Sequence, residues 1–185
     1  MPGRRYVNGW ESFTLMEIPQ REAWRRHNET CMVCQRVWHL SALAIHEATH
    51  AAVALDQGLK VEFVAIDENR EIEVTALEAA LYPLIKAGMK IPAMATRLDA
   101  KDLRREPVKV FVAMVAPSCV ETGHPEIDDY AGIESFIAVR QMKARDIAPG
   151  PVLDEAKLAV EQPHVQDKIL EIANRLAETG WVDAP

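Results

Sequence analysis

Ala44-Ile45-His46-Glu47-Ala48-Thr49-His50-Ala51-Ala52-Val53 is the stretch around which this 185-residue chain is organised. Leu40, Leu43, Ala44, Ala48, Ala51, Ala52 and Leu55 recur around it at helical spacing, which predicts an apolar helix. Residues four apart share a helix face, one above the other. His46 and His50 can therefore direct two imidazoles at one point, with Glu47 beside them. H-E-x-x-H is the spacing of hydrolytic zinc sites. Zinc lowers the pKa of a bound water toward neutrality, and the glutamate takes the proton. Two histidines on a buried helix are costly unless something binds them. The bland alternative is that they satisfy neighbouring backbone carbonyls.

A catalytic zinc takes three protein ligands, so a third must come from elsewhere. His124, Glu126, Asp128, Asp129 and Glu134 are the candidates, and sequence position alone does not choose among them.

Length and composition (49% hydrophobic, 26% charged) fit one globular domain with a real core. A net charge of -7 argues against a general nucleic-acid binder. The charge is uneven: residues 1–40 carry +2 and the remainder -9. No apolar run is long enough for a membrane span, and the first residues lack the apolar centre of a signal peptide. Three cysteines, an odd number, fit a reducing compartment. These features predict a cytoplasmic protein with no membrane insertion.

Pro2, Gly3, Gly9 and Pro19 predict an irregular start. A polar segment from Arg21, with Trp24 and Trp38, reads as a partly helical extension over residues 1–39. Trp10 lies in the same arm. Cys31-x-x-Cys34, flanked by His27 and His39, offers four zinc-type ligands. Their spacing is too compressed for an ordinary finger, so thiols buried on a helix are expected. The cluster Arg21, Arg25, Arg26 and Arg36 reads as solvated helix charge.

Ser41 is a candidate N-cap for the motif helix and Gly58 its stop. Val61–Ile66 and Glu71–Thr75, around the polar Asp67-Glu68-Asn69-Arg70, predict a small β-hairpin. Thr75-Ala76-Leu77-Glu78 predicts a capping box opening a helix to about Lys86. Residues 88–105 read as a loop or short helix. Pro107 opens a buried helix to about Glu121, bent at Pro117. Thr122–Pro125 is a turn. Helices follow near 126–144, 152–161 and 164–179.

The motif helix, with the apolar run Val110 to Glu121 and the acidic pair Asp128-Asp129 after it, resembles the peptidase domain of FtsH-type AAA+ zinc metalloproteases. The likeness spans roughly residues 40–180. It implies a mainly α, helical zincin-like domain (residues 40–185) with one small β-hairpin. In that family an Asp opens the later helix, with small or apolar residues four and eight positions on. Asp129, with Ile133 and Ile137, fits, so the resemblance assigns one Zn²⁺ to His46, His50 and Asp129, with Glu47 as catalytic base. There are departures. Ala48-Thr49 replaces the usual glycine-containing pair, and Ala116-Pro117 a paired glycine. The sequence has no P-loop and no transmembrane segment, so the family's motor and anchor are not expected.

Two functions follow as expectations. One is a zinc metallopeptidase acting on unfolded or flexible polypeptides, with any folded substrate delivered by a separate partner protein. In that reading Val61–Ile66, as an exposed edge, could bind an extended peptide. The other is a non-catalytic metal-binding or interaction domain of the same fold. The family's rings depend in part on the missing motor, which favours a monomer or small homo-oligomer. A third class, a nucleic-acid-associated regulator, rests only on the arginine cluster.

Overall fold

A computed structural model describes residues 32–81, 85–120, 122 and 124–185. The expected irregular start, the arginine cluster, the tryptophans of the extension and the Cys31–Cys34 pair with His27 lie outside the described residues and side chains.

Helix α1 spans Met32–Asp56. Nothing in the sequence interrupts it between Met32 and Ser41, so it runs unbroken through position 40, and Ser41 lies inside it rather than capping it. Every residue from 41 to 54 is buried. A helix covered on all sides belongs at the centre of a domain. Its small side chains, including Ala44, Ala48, Ala51 and Ala52, let neighbouring elements approach closely. Gly58 ends it as expected. Its φ of +73° is left-handed, and the amide of Leu59 donates to Ala54 O at 2.9 Å.

The expected hairpin is instead one long strand. Strand β1 covers Val61–Glu73 without a turn. It is the middle strand of a three-stranded antiparallel sheet, between β2 (Lys90–Leu98) and β3 (Trp181–Asp183). The polar Asp67-Glu68-Asn69-Arg70 does not reverse the chain. It is accommodated as an irregularity, where Asp67 pairs with Ala93 and Glu71 with Pro92. Pro92 has no amide hydrogen to give, and it is tolerated because β2 is an edge strand. The third strand is anchored by Trp181, whose ring stacks on Phe63 at 4.3 Å and lies 3.7 Å beneath the Arg70 guanidinium.

The capping box holds: Glu78 N donates to Thr75 Oγ1, and Thr75 N to Glu78 Oε2 at 2.7 Å. It opens the short helix α2, Ala76–Leu81, which does not extend to Lys86. Residues 88–105, expected as a loop or short helix, instead hold strand β2 as well as helix α3, Ala100–Arg105, capped by Asp99. Helix α4, Pro107–Val115, starts at its proline as predicted. Pro117 ends it rather than bending it, and Ala116–Cys119 form a 3₁₀ turn. Helices α5 (Pro125–Lys143), α6 (Pro149–Val160) and α7 (Pro163–Thr179) follow close to their predicted bounds.

Helix α1 packs against α4, α5, α6, α7 and the sheet. The fold is mainly helical with a small antiparallel sheet, built around the helix that carries the histidines. No described helix is long and apolar enough to cross a membrane.

Candidate metal centre

The histidines of α1 meet a carboxylate from α5. His46 Nε2 lies 2.9 Å from Glu134 Oε2, and His50 Nε2 lies 3.3 Å from the same oxygen. The imidazoles are 4.9 Å apart between centroids, at 83°. Donor atoms of all three residues fall within 4.8 Å of one another. Ligands about 2.0–2.2 Å from a tetrahedral zinc stand roughly 3.3 Å from each other. The two distances to Glu134 already approximate that edge.

Three further features bear on the fit. His50 Nδ1 lies 2.9 Å from the carbonyl oxygen of Ala113, so its N–H donates there and fixes Nε2 toward the cluster. Metal-ligating histidines commonly have this outer contact. The Nδ1 of His46 has no hydrogen-bond partner among the described residues. Finally, all three residues are buried. A buried carboxylate is expensive without a positive partner. Two imidazoles and a carboxylate are a normal donor set for zinc, and the arrangement fits the ion.

Without a metal, a proton does the pairing. Burial alone would lower the His50 pKa, but the Glu134 hydrogen bond and charge outweigh it and push it up to about 9. Burial works against the Glu134 charge too. Hydrogen bonds and charge from the two imidazoles overcome it and hold this carboxyl well below the usual range.

Glu47 stands beside the cluster, and burial raises its pKa against the opposing pull of His46 and His50. The Thr96 hydroxyl donates to it, with Glu47 O at 2.8 Å and Oε2 at 2.9 Å. Tyr130, one turn before Glu134, places its ring 5.4 Å from that of His46. Burial, then the charges of Glu134 and Glu47 and a hydrogen bond to Glu134, raises the Tyr130 pKa.

His50, Glu47, Glu134, Tyr130 and Thr96 line a cavity of about 320 Å³. Its other walls include Met114, Ile133 and Ile137 from the helices, and Ile91, Met94 and Leu98 from β2. That volume suits a few side chains rather than a folded surface. At its rim Glu78 pairs with Arg97 at 2.9 Å.

His46, Glu47 and His50 are therefore together, as predicted. Asp129 is not with them. It is exposed, and Glu134 stands where it was expected. The reason is helical phase. Ile127, Ala131, Ala138 and Met142 form the buried stripe of α5, and Glu134 is in step with them at offsets of three, four, seven and eight. Asp129 shares its stripe with Ile133, which is 57% exposed. Of the other candidates, His124 and Glu126 join a separate group with His39. Asp128 Oδ1 instead accepts from the amide and hydroxyl of Thr122. Thr96 gave no signal because its strand was not predicted.

Fold and site together define a mainly helical protein in which two histidines of the central helix and Glu134 of α5 form a buried group able to hold a metal ion. Comparison with known protein families, with characterised proteins and with solved structures finds no match for this chain.

Proposed function

We propose that this protein is a zinc-dependent metallopeptidase cleaving unfolded or flexible polypeptides. The observation that carries the reading is the convergence of His46, His50 and Glu134, with Glu47, His50 and Glu134 lining a largely apolar cavity. His46, His50 and Glu134 would hold the ion; Glu134 replaces Asp129 in that role. Bound zinc would polarise the scissile carbonyl and make water nucleophilic near neutral pH. Glu47 receives the proton of the attacking water and passes it to the leaving amine. Its raised pKa brings it nearer the working range of a general base. Thr96 holds its carboxylate in place.

Substrate binding follows from the sheet. The expected edge, Val61–Ile66, is the middle strand, and the edge that lines the cavity is β2. A peptide pairing with β2 would run past Thr96 and Glu47, with side chains directed at Met114, Ile133 and Ile137.

The test is Glu47→Gln in the purified 185-residue chain. The variant should retain zinc and lose cleavage of an unstructured casein-like substrate. Equal cleavage by both proteins overturns the mechanism. Zinc binding with no hydrolysis by the wild type moves the protein to the non-catalytic metal-binding class.

A further inference from the structure

Seven residues before His46, on the same helix, lies His39. Seven residues are 20° short of two turns, so His39 shares the face of His46 about 10.5 Å farther down the axis. It meets the start of α5. The His39 and His124 rings are 5.1 Å apart, edge to face at 74°. Donor atoms of His39, His124 and Glu126 all fall within 4.8 Å of one another. We propose that His39, His124 and Glu126 form a second, structural zinc site pinning the early part of α1 to the N-terminus of α5.

The two groups repeat one arrangement. In each, imidazole from α1 meets a carboxylate carried on α5, and the order along both helices is the same. His39 faces Glu126, and His46 with His50 faces Glu134. The segment supplying His124 is itself held. Thr122 donates through its amide and hydroxyl to Asp128 Oδ1, at 2.9 and 2.7 Å, and His124 N donates to Thr122 Oγ1 at 3.3 Å. Thr122 and the amide of His124 are thus tied to the first turn of α5.

Donors around a tetrahedral zinc are roughly 3.3 Å apart, so the three need close by no more than ~1.5 Å, within reach of side-chain rotation. The positive end of α5 disfavours a cation there. The carboxylate of Glu126 offsets this. His39 and His124 are half-buried and Glu126 is exposed. The site is therefore open enough to load, and water can complete a fourth position. Edge-to-face ring packing is the alternative, and it needs no metal.

The experiment is zinc titration of the chelator-stripped 185-residue chain, with Co²⁺ spectra in parallel. Wild type should bind two equivalents. His39→Ala should bind one, and Glu126→Gln should bind its second equivalent at least tenfold more weakly. Glu126 is exposed, so that variant keeps the test valid if His39→Ala fails to fold. The double variant His46→Ala/His50→Ala should keep one equivalent, which separates this site from the proposed peptidase centre. A single equivalent in wild type that is lost in His46→Ala/His50→Ala overturns the proposal, as do two equivalents held at unchanged affinity in both His39→Ala and Glu126→Gln. A thiolate-to-cobalt charge-transfer band accompanying the second equivalent also overturns it, because cysteines would then hold that ion.

Discussion

Exchanging Glu134 for Gln separates the two candidate carboxylates most cleanly. The side chain keeps its size, and its oxygen can still accept one imidazole N–H. Two things are lost: the negative charge, and one of two hydrogen bonds that converge on Oε2 at 2.9 and 3.3 Å. Hydrogen bonds to charged groups contribute about 1.5–3 kcal/mol each. His50 can shed its proton once its counter-charge is gone, which limits the damage. Metal-free Glu134→Gln should therefore unfold about 2–3 kcal/mol more easily, read from urea denaturation in the presence of a chelator. The effect on metal is larger. Loss of an outer-shell partner typically weakens binding 10–100-fold. Loss of a direct ligand should exceed the top of that range, more than about 2.8 kcal/mol. Asp129→Asn changes an exposed side chain and should leave zinc affinity within about twofold. Competition with a chromophoric chelator measures both. Glu134→Gln binding zinc like wild type, with Asp129→Asn losing it, would refute the assignment and restore the register that the family resemblance implies.

Tyr130→Phe removes the hydroxyl that bonds Glu134 and should weaken zinc binding about tenfold without unfolding the protein; an unchanged dissociation constant shows that the hydroxyl positions nothing. Thr96→Val removes the donor to Glu47 while leaving the three ligands in place. Zinc content should stay at wild-type level and kcat should fall on the casein-like substrate, whereas a rise in KM alone would assign Thr96 to substrate binding. Gly180→Ala forces a side chain into a left-handed backbone at φ +69°; its Cβ would meet that of Asp67 at an ordinary contact distance of 3.5 Å, so the cost is backbone strain. It should cost about 1–2 kcal/mol in thermal or urea unfolding, and a neutral effect would mean the α7–β3 junction is not held in this geometry.

The helices were legible because their signals are local. The central helix announced itself by apolar spacing, Gly58 by its stop, Pro107 by its start, and Thr75 with Glu78 by reciprocal capping. The sheet was not legible, because its pairings join distant parts of the chain. Residues 90–98 hide a strand behind Pro92, which reads as a breaker until one knows that β2 is an edge. Trp181–Asp183 is too short to show a period at all. Asp67–Arg70 carries turn composition yet lies within a strand. Only its ends are paired, Asp67 with Ala93 and Glu71 with Pro92 on β2, and no local pattern encodes that long-range pairing across the irregularity.

The site divides along the same line. His46, Glu47 and His50 are adjacent in sequence, and one helical turn brings them together. The third donor is a tertiary contact, and a family register pointed to Asp129. Glu134 nevertheless had a local signature, an acid in phase with Ile127, Ala131, Ala138 and Met142 on an otherwise apolar stripe. A carboxylate on a buried stripe is disfavoured unless a cation or a proton-carrying base meets it. Two histidines on a helix buried throughout residues 41–54 create the matching need. Each half of the cluster would be a liability alone, and each removes the other's cost only when brought within hydrogen-bonding distance. That mutual requirement, more than the four-residue motif, is the physical reason that His46, His50 and Glu134 meet between α1 and α5. It also explains why Asp129, comfortable in water, has no cause to be there.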